Sequence, residues 1–172
     1  MIEEHNVFVS FYHKEDSEYK EYIDRHFKDE IINKSVKDGE YDSDNSDEYV
    51  KRLIREDKIT SSSVVVVLIG PNTKNRKHVD WEMYAGLDKK VNGNSGLVGI
   101  LLPTLRKNCK GEYYIDDLPL RLKDNYESGY AKCYTWENAI NNFVNIVQEA
   151  FDNRVKYRDR IDNSRIQMKN NK

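Results

Sequence analysis

Few side chains in this sequence are placed to do chemistry, and the most promising is a carboxylate. The run His78-Val79-Asp80-Trp81-Glu82 follows a polar loop, Pro71 to Lys77, and opens a stretch with helical spacing that reaches Val91. At 100° per residue, Val79, Met83 and Gly86 share one stripe, and Glu82 lies about 60° from Val79. A carboxylate so placed flanks a buried face. Limited solvation raises its pKa, the usual state of a working acid or base. The ordinary alternative is a surface glutamate near a helix N-terminus, where the macrodipole favours it. Aromatic rings stand nearby in sequence or topology: Phe11 and Tyr12, with His13, end the first apolar run, and Trp81 adjoins Glu82. Core packing explains Phe11 as well as ligand stacking does, and explains Trp81 better.

Other chemistries are excluded by what is missing. There is no Gly-x-x-x-x-Gly-Lys-Ser/Thr phosphate loop, no Gly-x-Gly-x-x-Gly dinucleotide turn and no Gly-x-Ser-x-Gly elbow. The four histidines form no metal-binding pair, and Cys109 and Cys133 lack ligand spacing, so they read as reduced thiols. The third strand ends in Ile69-Gly70, where a response regulator would need its phosphoacceptor aspartate. Asp42-Ser43-Asp44 starts like a calcium loop, but the sixth position is not glycine and the twelfth is not glutamate. No metal site is expected.

The elements that position these residues alternate along the chain. Strands are expected at Asn6 to Phe11, Ile31 to Val36, Ser63 to Gly70, Gly96 to Leu102 and Ala131 to Thr135. Helices are expected at 16–28, with Asp16 or Ser17 as N-cap, around Tyr49 to Ile54 with Ser46 as cap, at 78–91 and at 136–151. Val64 to Ile69 is aliphatic without alternation, the mark of a strand buried on both faces in a parallel sheet. The pattern predicts a doubly wound, parallel, five-stranded α/β domain with a flavodoxin-like fold, filling residues 1–151. Residues 103–130 read as irregular. Residues 152–172 read as a charged tail, a frayed helical extension or disordered, with seven bases against three acids. A basic arm for nucleic acid is the weaker alternative. In such a sheet ligands bind beyond the carboxyl ends of the strands, here between the first and third. That nominates Phe11 to Ser17, Gly70 to Lys77 and the start of the Glu82 helix, overhung by the acidic stretch 38–47.

The 172 residues are 38% hydrophobic and 34% charged, and 28 bases against 30 acids leave a net charge of -2. So even a balance argues against nucleic acid or a membrane surface as partner. No apolar run is long enough to span a bilayer, and the acidic start does not read as a signal peptide. A cytoplasmic location is expected.

The opening Val7-Phe8-Val9-Ser10-Phe11, the valine-rich third strand closing in Leu68-Ile69-Gly70, Thr73 and the helix start at Trp81-Glu82 together resemble bacterial TIR-like domains. The similarity covers roughly residues 5–150 and is greatest to the TIR-like group of Thoeris anti-phage systems. The resemblance implies a flavodoxin-like fold and cleavage of the nicotinamide–ribose bond of NAD, which is the substrate, with no other cofactor. It implies a cyclic ADP-ribose-type signal for a partner effector, and self-association between TIR-like surfaces. It places the catalytic glutamate on Glu82 and substrate contacts on Phe11, Tyr12, His13, Asn75, Arg76 and Trp81. One departure is His78, where an aromatic usually opens the glutamate motif. An acidic rim would repel the pyrophosphate unless Lys74, Arg76 or Lys77 offsets it. A single carboxylate suffices for this reaction, because nicotinamide leaves from a cationic pyridinium and needs no general acid, unlike an ordinary glycoside. Two rival readings remain: a non-catalytic TIR-like interaction module, and a nucleoside 2-deoxyribosyltransferase-like enzyme.

Overall fold

Val64 to Ile69 forms the middle strand of a sheet, and all six residues are buried. The computed structural model describes residues 3–34, 56–88 and 93–172. Its strands are β1 (His5–Ser10), β2 (Ile31–Asn33), β3 (Val64–Ile69), β4 (Gly96–Leu101) and β5 (Lys132–Thr135), and its helices α1 (His13–His26), α2 (Lys77–Leu87), α3 (Leu120–Glu127) and α4 (Trp136–Lys156). Residues 56–60 are also helical. The strands are parallel in the order β2-β1-β3-β4-β5, the expected flavodoxin-like winding.

Successive strand residues point to opposite faces, so two cores form. Val7, Val9 and Phe11 join Val64, Val66 and Leu68 against α1 and α4, through Ile23, Phe143 and Val147. Phe8 joins Val65, Val67 and Ile69 against α2 and α3, through Val79, Met83 and Leu122. By the same alternation Ser10 belongs to the α2 face. β4 opens on Gly96 because α4 crosses close behind it: a Cβ there would lie 2.1 Å from the Ala150 carbonyl oxygen.

Three expected boundaries differ in informative ways. α1 begins at His13, three residues before the expected caps, and its N-cap Tyr12 makes no side-chain capping bond. Asp16 therefore lies in the first turn, and the Ser17 hydroxyl bonds back to the His13 carbonyl, as serine does inside a helix. Residues 103–130 hold a 3₁₀ turn at Ile115–Asp117 and the eight-residue α3. Its periodicity was hidden because two of its three buried residues, Arg121 and Asn125, are polar. α4 runs to Lys156, beyond the expected end at Phe151, with a kink at Asn142. The acidic stretch 38–48, the helix around Tyr49 to Ile54, the end of the second strand and residues 89–91 of the expected 78–91 helix lie outside the described residues.

Beyond a turn at Arg158–Arg160, residues 161–172 form a strap laid back along α3 and α2. The Asn125 amide donates to the Asp162 carbonyl and accepts from its N–H (2.7 and 2.9 Å), and Arg165 pairs with Asp124 through two bonds (2.7 and 2.8 Å). Met168 N–H donates to Asp80, the Trp81 indole donates to the Met168 carbonyl (both 2.8 Å), and Lys77 N–H donates to the Asn171 side chain (2.9 Å). Among the described residues, no helix is long and apolar enough to cross a membrane.

Candidate functional site

The carboxyl ends of β1 and β3 meet the starts of α1 and α2, and the acidic groups there are placed by helical geometry. Asp80, Trp81 and Glu82 are consecutive on α2, so they leave the helix in three directions about 100° apart. Asp80 turns to α3, Trp81 to the strap and Glu82 to β1.

Glu82 is 5% exposed, and the hydroxyl of Ser10, wholly buried at the last position of β1, donates to its Oε2. The carboxylate therefore sits at the switch point where the winding of the sheet reverses. Ser10 was not singled out from sequence. The available signal was the alternation itself, which puts a small hydroxyl on the α2 face at the end of an apolar strand.

Asp80 is spent differently. Its oxygens accept from Arg121 Nε (2.9 Å) and Nη2 (3.3 Å) and from Met168 N–H, and Arg121 is completely buried. This carboxylate is neutralised and holds α2, α3 and the strap together.

A third buried acid, Asp16, lies between the two loops. Thr73 Oγ1 donates to its Oδ2 (3.3 Å) and accepts from Gly70 N–H (2.9 Å). Gly70 has to lack a side chain, since a Cβ would come within 2.6 and 2.7 Å of the Asp16 oxygens. Burial pushes the Asp16 carboxyl up to about 6. The Thr73 hydrogen bond opposes that rise, and the neighbouring Glu15 and Glu18 add to it. Asp16 so ties the loop after β1 to the loop after β3.

The remaining expected contacts divide into groups. Phe11 is buried in the α1/α4 core, across the sheet from Ser10, and stacks on His13 at 4.1 Å between ring centres. Tyr12 and His13 are partly exposed, and the Arg76 guanidinium lies over the Tyr12 ring at 4.5 Å. Asn75 ends a 3₁₀ turn at Thr73–Asn75, and its carbonyl accepts from Lys172 N–H (3.0 Å). Arg76 Nη2 donates to the Lys172 carbonyl (3.3 Å). Trp81 is fixed to the strap by its indole N–H, with Lys77 Nζ 5.2 Å above its ring. Lys74 pairs with Asp117 at 2.7 Å. Tyr12, His13 and Arg76 therefore lie at the carboxyl ends of β1 and β3, Glu82 is buried against Ser10 at the end of β1, Phe11 packs in the core beneath His13, and Trp81, Asn75 and Arg76 meet the strap.

Among the described residues, no group of three or more His, Cys, Asp or Glu side chains is arranged to hold a metal ion, and both cysteines are free thiols.

No curated protein matches the chain. The family model of the Thoeris protein ThsB TIR-like domain matches residues 8–107, a span that holds Ser10, Asp16, Gly70, Thr73 and Glu82 and leaves out the strap. That span is more than half of the sequence and contains the second half of β1, all of β2, β3 and β4, and the buried Glu82, and the chain belongs to the TIR-like domain family of Thoeris protein ThsB.

Proposed function

We propose that this chain cleaves the nicotinamide–ribose bond of NAD, with Glu82 as the catalytic carboxylate. The observation that supports this most is the burial of Glu82 at the switch point, hydrogen-bonded to the end of β1. The electron pair of the breaking C–N bond goes to the pyridinium nitrogen, so nicotinamide leaves neutral and the ribose becomes an oxocarbenium-like cation. A negative group held in a water-poor crevice stabilises that cation. Attack by water yields ADP-ribose and a proton. Attack by a nitrogen of the adenine yields a cyclic ADP-ribose-type product and a proton, the signal that would act on a separate effector in anti-phage defence.

Tyr12 and His13 are the rings assigned to the nicotinamide side, with Phe11 backing His13. Arg76 supplies positive charge toward the pyrophosphate, and Asn75 positions the loop that carries it. Trp81 is assigned to holding the strap. NAD is substrate and no further cofactor is required. Pairing between TIR-like surfaces in the cytoplasm is the proposed route to activation.

The test is nicotinamide release from NAD by the purified chain, alone and with lysate from phage-infected cells. Glu82→Gln should lower the rate by about 10²–10³-fold, the usual cost of removing one transition-state electrostatic partner. Intact NAD under every condition would overturn the reading. Full phage protection by the Glu82→Gln variant would point instead to a docking module.

A further inference from the structure

On the other flank of α2 from Glu82, a cavity of about 30 Å³ lies between the loop after β3, the start of α3 and the strap. Its wall carries Lys74, Arg76, Arg165 and Lys172, together with Asp80 and Met168. We propose that it binds a phosphate or pyrophosphate group, a binding property that stands whether or not the chain cleaves NAD, although Arg76 is shared with that reading.

Charge supports this first. The one acid in the wall, Asp80, is already matched by Arg121 and by the Met168 N–H. Lys74 shares Asp117 with Arg106, so two cations face one carboxylate. Arg165 is paired with Asp124. Arg76 meets the main-chain oxygen of Lys172, the last residue (3.3 Å), and neither Arg76 nor the Lys172 ammonium pairs with an Asp or Glu side chain among the described residues, so cations outnumber acids in the cluster.

Hydrogen bonding points the same way. The Nε–H of Arg76 is shielded from solvent and has no acceptor, although buried donors are almost always satisfied. An oxyanion in the adjoining cavity would supply that acceptor and neutralise the guanidinium. Two helices also begin at this wall: α2 is capped by Arg76, and Pro119, the N-cap of α3, and Leu120, its first residue, line the cavity. Both macrodipoles present their positive ends to an anion there.

Size sets the ligand class. Where one water needs about 10–15 Å³ by this measure, a cavity of about 30 Å³ takes one phosphoryl group and no base or sugar, with the second phosphoryl of a pyrophosphate at its mouth. The remainder of any nucleotide would lie outside. Asp80 is about 200° from Glu82 around α2, so the group bound here is not the reacting ribose. It is either the pyrophosphate of the same dinucleotide, reaching around the helix start, or a separate anion that fastens the strap to α2.

Inorganic pyrophosphate titrated calorimetrically into the full chain, without magnesium and at low salt, tests the site. Saturable one-to-one binding is expected, weakening as salt rises. Lys172→Glu, at an exposed position, and Arg76→Gln should each weaken it about tenfold or more, whereas Lys28→Glu on the exposed end of α1's following turn should not. No saturation by about 10 mM, or unchanged affinity in Lys172→Glu, overturns the proposal. In the Glu82→Gln variant, NAD that displaces pyrophosphate identifies the substrate's own phosphates as the ligand, and simultaneous binding identifies a second anion. Because this readout needs no turnover, a chain that leaves NAD intact would still pass or fail it.

Discussion

Glu82 and Asp16 are acids buried at the same end of one sheet and held by different means. Glu82 meets a serine hydroxyl from the neighbouring strand, and Asp16 is pressed beneath a glycine and a threonine. The Asp16 carboxyl, raised from 3.8 to about 6, costs stability when ionised. Below about pH 4 it is protonated in both folded and unfolded chains and contributes nothing. Between pH 4 and 6 the folded chain holds the extra proton, so stability falls as pH rises, by about 3 kcal/mol in total. Asp16→Asn should therefore be more stable than the parent by up to about 3 kcal/mol at pH 7.5 and nearly equal to it at pH 4. Paired urea titrations at the two pH values check this, and an equal effect at both would show that ionisation is not the cause. Retaining such a costly group fits a residue kept to join the two loops of the crevice. That Glu82 flanks a buried face was legible from its angle to Val79, while its assignment as the catalytic carboxylate came from the family resemblance. Asp16 was read as a helix cap, because a first-turn acid and a capping acid look the same in sequence.

At the scale of elements, α2 is a junction whose consecutive side chains engage three neighbours. The Asp80–Arg121 pair is its buried tie to α3, and Arg121 has no exposed surface. Arg121→Ala leaves Asp80 buried with its main counter-ion gone and should cost about 3–5 kcal/mol. Replacing both partners with leucine should cost much less than the two single changes summed, since no unpaired charge is left behind. Denaturant midpoints for the four-member cycle measure the difference, and additive losses would mean the two side chains act separately. The sheet's elements were legible because continuous aliphatic runs admit few alternatives. α3 was not, since its inward face carries a guanidinium and an amide whose partners are distant in sequence.

Across the whole molecule, the basic final segment serves as a fastening. The strap supplies the Met168 N–H to Asp80, the Asn163 side chain to Arg121 and the Asn171 side chain to the first N–H of α2. A chain shortened after Ile161 should lose about 2–4 kcal/mol, allowing about 1 kcal/mol for each buried hydrogen bond forfeited. Its Trp81 fluorescence should shift to the red as the indole N–H meets water, with Trp136→Phe as background. Unchanged stability together with an unshifted spectrum would show that the strap bears none of this load. Composition, the alternation of strands and helices, the doubly buried central strands and the position of Glu82 at the flank of a buried face were legible in the sequence, because hydrophobic periodicity and helical angle are local properties of the chain. That Ser10 reaches Glu82, that Arg121 neutralises Asp80 and that a tail rich in charge lies along α2 were decided only by tertiary structure. Those partners stand 41 to 88 residues apart, and no local pattern encodes which polar group will meet which once the sheet has brought them together.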